Sequence, residues 1–206
     1  SGREVLYPDP GLPIYRSLAG YSGARAVPYA LREEMGFSFK AEDILARVND
    51  NTRLIILNSP GNPTGGSNVE AEVEVLARGL ESFPNCAVLS DEIYSRLYFD
   101  GESHLSLLQF EALRERLIVL DGWSKTYAMT GWRLGWGIWP ISMIGAATKL
   151  AINIHSCVNA PAQAAALAAL EGPQDDVETM RMAFQARRDF IHARLNAMPG
   201  ITAARP

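Results

Sequence analysis

Residues 54–82 read LIILNSPGNPTGGSNVEAEVEVLARGLES, and how this run divides decides the fold. Leu54 to Leu57 is apolar, rich in β-branched residues, too short for a helix and closed by turn residues, which predicts a buried strand. Val69 to Ser82 carries its apolar residues at helical spacing. Between them, NSPGNPTGG (58–66) holds two prolines and three glycines. Proline restricts φ and glycine permits φ > 0, so this loop is tightly specified. A strand, a rigid loop and a helix in that order begin a βαβ unit.

Further runs repeat the pattern. Ala87 to Leu89, Leu117 to Leu120 and Leu134 to Trp139 also read as buried strands. Helical patterns cover Ala41 to Val48 and, as a short element, Ser106 to Arg116. A weaker pair of strands, Val5 to Tyr7 and Ala26 to Tyr29, flanks a helix around Pro13 to Gly20. This alternation predicts an α/β fold of three αβα layers with a mainly parallel central sheet. After Pro140 the pattern becomes helical, over Ile141 to His155, Ala160 to Glu171 and Asp175 to Met198, the last amphipathic and partly exposed. MPGI (198–201) ends that helix, and the residues beyond it are expected to open a strand of a second domain.

The bulk properties exclude several classes. Of 206 residues, 48% are hydrophobic and 20% charged, with a net charge of -4, so no general affinity for nucleic acid or anionic membrane is expected. The two cysteines, Cys86 and Cys157, stand apart with no histidine cluster, which argues against a disulfide framework or zinc site and for a reduced, cytoplasmic setting. No apolar run approaches the roughly 18 residues that span a bilayer. The chain lacks an initiator methionine and stops at ITAARP, so it is expected to be a fragment, incomplete at both ends.

Four places at strand ends carry chemistry. The NSPGNPTGG loop can hold the Asn62 amide at a fixed point, although a ligand-free turn would look the same. In SDEIY (90–94), two acids follow a buried strand, a costly placement unless they are solvated or paired. Carboxyl ends of strands form the ligand crevice in open α/β sheets, so Asp91 and Tyr94 can reach a bound molecule. The alternative is that both acids cap a helix or pair locally. In DGWSKTYAMTGWRLG (121–135), Lys125 follows an apolar run and has Trp123, Tyr127, Met129 and Trp132 as neighbours, which predicts an apolar pocket around an amine nucleophile able to form a Schiff base. The planar guanidinium of Arg133, with the Ser124 hydroxyl, suits a phosphate. An aldehyde-binding amine, a carboxylate, two hydrogen-bond donors and a phosphate clamp together fit pyridoxal 5'-phosphate.

NSPGNPTG, SDEIY and SKTYAMTGWRLG resemble the signature blocks of the class I/II aminotransferases, fold type I enzymes dependent on pyridoxal phosphate. The resemblance implies that Lys125 forms the Schiff base and moves the substrate's proton, that Asp91 pairs with the pyridine nitrogen, and that Asn62 and Tyr94 bond the ring oxygen. Ser124 and Arg133 would bind the phosphate. Many relatives carry a serine or threonine where this chain has Gly122, whose backbone N–H is the expected substitute. YPDPGLPIY (7–15) resembles a segment near the active site, which makes Tyr15 a candidate to line the substrate. IHSCVNAPAQAA (154–165) resembles the region that approaches a neighbouring subunit, which implies a homodimer.

The implied reaction moves an amino group from an L-amino acid to a 2-oxo acid. A carbon–sulfur β-lyase would use the same cofactor residues, and an aminotransferase-like sensor domain of a transcription regulator would share the fold. Residues 1–174 are expected to be the central part of the cofactor-binding large domain. Residues 175–206 would be a connecting helix and the start of a small domain. The aromatic ring that stacks on the cofactor and the arginine that grips the substrate carboxylate are expected outside this chain, so the chain by itself is expected to be weakly active or inactive.

Overall fold

The computed structural model describes residues 2–206. Among them lie six strands: β1 (Glu4–Asp9), β2 (Arg25–Ala30), β3 (Thr52–Asn58), β4 (Ala87–Asp91), β5 (Leu117–Gly122) and β6 (Gly135–Ile138). They form one sheet in the order β2-β1-β3-β4-β5-β6. The first five are parallel, and β6 runs antiparallel to β5. Ile55, Ile56 and Leu57 are consecutive and all buried. Successive strand side chains point to opposite faces, so both faces of β3 are covered, as the continuous apolar run requires.

Among the described residues, seven α-helices accompany the sheet: α1 (Pro13–Tyr21), α2 (Ala41–Leu45), α3 (Glu70–Gly79), α4 (Trp123–Thr126), α5 (Ile141–His155), α6 (Ala160–Glu171) and α7 (Asp175–Asn196). The main core joins Leu6, Ile44, Ile55, Leu57, Leu76 and Val88 with Leu107 and Leu113. A second, smaller cluster sets Leu134 against Ala162 and Ala166 of α6, with Trp123 packed beside them. The Asn159 side chain caps α6 by accepting from the Ala162 N–H at 3.0 Å.

Four expectations change. Leu134 to Trp139 is not a buried strand: β6 is an exposed, antiparallel edge strand, with Trp136 and Ile138 open to solvent. Ser106 to Arg116 forms two 3-10 turns, Leu107–Gln109 and Glu111–Arg116, because both Leu107 and Leu113 must reach the core within a short connection. Residues 201–206 form no strand. They are held instead by Asn196, whose Oδ1 accepts from the Ala203 N–H at 3.1 Å, and by Arg188, whose Nη1 donates to the Pro206 carbonyl at 2.8 Å. α7 is partly exposed, as expected, but its apolar residues form no buried face, and Phe190 and Ile191 are open. Its buried residues are Val177 and Arg188. The Arg188 guanidinium lies 4.9 Å from the Phe99 ring centroid and pairs with Asp100 at 2.9 Å, so its charge is compensated.

Candidate active site

The strand order reverses direction at the middle of the sheet. From β1 the chain crosses to β2 on one side, and from β3 it crosses to β4 and then β5 on the other. Such a switch leaves a crevice at the carboxyl ends of the strands. Tyr15, Asn62, Asp91, Tyr94, Ser124, Lys125 and Arg133 all line one cavity of about 460 Å³ there. Every candidate residue expected from the sequence is therefore at the same place.

β3 and β4 leave the sheet side by side, tied by a residue the sequence reading passed over. Asn58, the first residue of the NSPGNPTGG loop, donates its Nδ2 to the Asp91 carbonyl at 3.0 Å and accepts the Asn62 N–H on Oδ1 at 2.8 Å. One side chain thus sets both the loop start and its distance from β4. An asparagine at the start of a turn is a usable signal for such a local clamp. Across the cavity the Asn62 amide faces the Tyr94 hydroxyl at 3.4 Å.

Asp91 accepts the Tyr15 hydroxyl on Oδ2 at 2.7 Å and the Ile93 N–H on Oδ1 at 3.3 Å. No cation of the described chain pairs with it. Burial pushes its carboxyl above the usual carboxylate range, the bonds from Tyr15 and Ile93 oppose that, and the neighbouring Glu92 adds to it. Burial and the Asp91 charge push the Tyr15 phenol up as well. Tyr15 does border the cavity, but its hydroxyl is committed to Asp91.

Lys125 lies on α4, directly beyond the β5 carboxyl end, with its Nζ 5.6 Å from the centroid of the Tyr94 ring. The aromatic residues expected to wall its pocket do not do so. Trp123 turns to α6, donating Nε1 to the Ala166 carbonyl at 3.1 Å, and the Tyr127 hydroxyl reaches Gln174 at 3.2 Å. Trp132 is exposed. The amine instead shares a cavity of mixed lining, with Leu12, Ile93 and Leu120 beside Asp91, Tyr94 and Arg133. Arg133 has φ of 57°, a left-handed conformation uncommon for a non-glycine residue, and donates to the Thr130 carbonyl at 2.9 Å.

The Gly122 N–H, the expected substitute donor, donates here to Asp121 Oδ1 at 2.6 Å. A Cβ at this position would lie 2.8 Å from both the Gly135 Cα and the Leu134 carbonyl oxygen. β5 and β6 approach closely where Gly122 and Gly135 pair in register, leaving no room for a serine or threonine. Gly122→Ser is therefore expected to lose about 1–3 kcal/mol of stability through overpacking. Chemical denaturation checks this, and a variant as stable as the parent would refute the steric account.

A largely parallel αβα sheet with an amine, a carboxylate and a guanidinium gathered at its switch point defines an α/β domain built around a lysine-centred site. The chain belongs to the class I and II aminotransferases: that family's model matches residues 1–206. An aspartate aminotransferase of Bacillus sp. (strain YM-2) is 37% identical over 207 residues, covering 100% of this chain and 52% of the relative. The arginine–pyruvate transaminase of Pseudomonas aeruginosa is 38% identical over 205 residues, again covering 100% of this chain and 52% of the relative. Among solved structures, a Pyrococcus protein designated A1 superimposes with a TM-score of 0.94 at 34% identity, covering 100% of this chain and 53% of that one. The chain thus spans about half the length of the curated relatives it matches. Among the described residues, no helix is long and apolar enough to cross a membrane.

Proposed function

We propose that this chain forms the cofactor-holding part of a pyridoxal 5'-phosphate-dependent aminotransferase acting on an L-amino acid and a 2-oxo acid. The observation that carries the reading is Asp91, a largely buried carboxylate without a cationic partner, in the same cavity as Lys125, Ser124 and Arg133. Such a site suits a ligand that brings a protonatable ring nitrogen, an aldehyde and a phosphate. When bound, pyridoxal phosphate supplies an electron sink for negative charge developing at the substrate's Cα.

The chain's own residues do the rest. Lys125 Nζ would be the amine that holds the aldehyde group, with loss of water, and when free it would be the base placed to move the proton at the substrate's Cα, as a positioned amine can. The Asp91 carboxylate keeps the ring nitrogen protonated, and the Tyr15 hydroxyl orients that carboxylate. Asn62 and Tyr94 bond the ring oxygen. Ser124 and Arg133 hold the phosphate, a pairing suited to the planar guanidinium. Residues 1–174 are read as large-domain structure and 175–206 as the link that follows it.

A homodimer in the cytoplasm belongs to the same proposal. Support for the dimer comes from α5, which buries none of its residues and leaves Ile141, Leu150 and Ile154 exposed. The deciding experiment incubates the protein with pyridoxal phosphate, reduces it with borohydride and maps the labelled peptide. Labelling at Lys125 is expected, with weak or no turnover by these 206 residues alone; consumption of 2-oxoglutarate in the presence of amino-acid donors is expected of a protein that also carries the parts its relatives have beyond the half spanned here. Pyruvate release from cysteine conjugates, without loss of 2-oxoglutarate, would assign a β-lyase instead. Light scattering of the same preparation is expected to give the mass of two chains, and a monomer at micromolar concentration would remove the dimer from the reading.

A further inference from the structure

Asp91 is followed by a second acid that serves a different purpose. Glu92 is 4% exposed, and its carboxylate is held at three points. Ser90 Oγ donates to it at 2.9 Å, the Leu107 N–H at 3.0 Å, and His104 Nε2 lies 2.7 Å away. Ser90 and Glu92 share one side of the extended chain, and Asp91 between them faces the cavity, as strand alternation requires. Burial would raise the Glu92 carboxyl, but the bonds from His104, the Leu107 amide and the Ser106 and Ser90 hydroxyls outweigh it and hold it below its ordinary value.

These contacts bracket the turn that carries the site. The Glu92 N–H donates to the Leu120 carbonyl at 2.8 Å, which joins the end of β4 to β5. The Glu92 carbonyl accepts from the Ser95 N–H at 2.8 Å, and Ser95 Oγ donates to Asp121 Oδ2 at 2.9 Å. His104 is backed in turn by Tyr98, whose hydroxyl lies 3.4 Å from Nδ1. Ile93 and Tyr94 are thus suspended between Glu92 and Ser95, both anchored on the sheet.

We propose that Glu92, supported by His104, is a positioning residue that sets the exit of β4 so that the Asp91 carboxylate and the Tyr94 ring face the cavity. What Asp91 does there rests on the function proposed above. Its placement by Glu92 does not.

The test separates the two. Amide hydrogen exchange at Ile93, whose N–H donates to Asp91 Oδ1, reports the turn without any cofactor. Pyridoxal phosphate titration followed by absorbance reports the site. Glu92→Ala leaves buried donors unpaired, and is expected to speed Ile93 exchange and weaken pyridoxal phosphate binding, each by about tenfold or more. Glu92→Gln should stay within about threefold of the parent. Its oxygen still accepts from Leu107, and its amide can donate to His104 in the other tautomer. Leu80→Ala, a core truncation away from the site, supplies a destabilised control for what a general loss of stability does to both readouts.

Parental Ile93 exchange in Glu92→Ala, or an effect no larger than that of Leu80→Ala, overturns the proposal. Should Glu92→Ala not fold, His104→Ala removes one tether alone and must still speed Ile93 exchange more than the Leu80 control does; if it does not, the proposal fails. If the parent binds no pyridoxal phosphate, the proposed function falls, and Ile93 exchange still decides the role of Glu92.

Discussion

Lys125→Ala is expected to abolish covalent capture of pyridoxal phosphate and, in a protein that also carries the parts its relatives have beyond the half spanned here, to lower the transamination rate by about 10²–10⁴-fold, the range that a positioned proton-transfer group contributes. Among the described residues, Lys125 is the only primary amine bordering the cavity, so no other described side chain there can take over its bond to an aldehyde. The folded structure should tolerate the change. Lys125 is only half-buried, and the contacts that anchor its segment run through Trp123 to Ala166 and through Tyr127 to Gln174. Lys125→Arg sharpens the comparison, because it keeps the positive charge but offers a guanidinium that stays protonated and is no nucleophile. Both variants should retain the parent's thermal transition and lose the borohydride-stable label. Undiminished labelling of the alanine variant would place the reactive amine elsewhere and remove the central element of the proposed function.

Asp91→Asn is expected to act in opposite directions on stability and on binding. Burial raises the Asp91 carboxyl above its ordinary value in the folded chain. The folded state therefore holds a proton that the unfolded state has already released, across the interval between the unfolded value near 3.9 and the raised folded one. With more protons bound in the folded state, stability falls as pH rises through that interval, and the deficit persists to neutral pH. Asparagine has no charge to desolvate, and its one oxygen still accepts from Tyr15, losing only the longer bond from the Ile93 N–H at 3.3 Å.

The variant should therefore gain stability at pH 7, by about 0.5–2 kcal/mol, a gain typical of relieving a functional site. The parent-minus-variant difference should vanish at pH 3. Pyridoxal phosphate binding should weaken, because the carboxylate that would hold the ring nitrogen is gone. Urea denaturation at pH 3, 5 and 7 measures the first effect. A variant less stable than the parent at pH 7 would show that Asp91 is a net stabiliser as folded and would refute the assignment of its burial cost.

The site was legible because its chemistry is concentrated at strand ends. Short β-branched runs closed by turn residues located β3, β4 and β5, and reading the next few residues produced Asn62, Asp91, Tyr94, Ser124, Lys125 and Arg133. Asn58 was missed although it opens the same loop, because its function is to bridge two strand exits, 33 positions apart in sequence. The pocket around Lys125 was misjudged for a related reason. Trp123 and Tyr127 are its neighbours along the chain, but the short turn of α4 points their side chains to α6 and to Gln174. Nearness in sequence does not fix direction on a helix, where adjacent residues face different ways.

By itself, the sequence determined the αβα class, the rigid loop after β3 and which residue types meet at the switch point, since each depends on local periodicity, proline and glycine restrictions, and strand ends. Only the tertiary structure gave the physical reason why Asp91, and not the adjacent Glu92, faces the cavity. Strand alternation guarantees that Asp91 and Glu92 point to opposite sides. The absolute choice of side comes from packing, because His104, Ser90 and the Leu107 amide can satisfy a buried carboxylate on one face alone. The same holds for Gly122: its need to be glycine arises from Gly135 across the β5–β6 pair, a contact between residues 13 positions apart that no local pattern records.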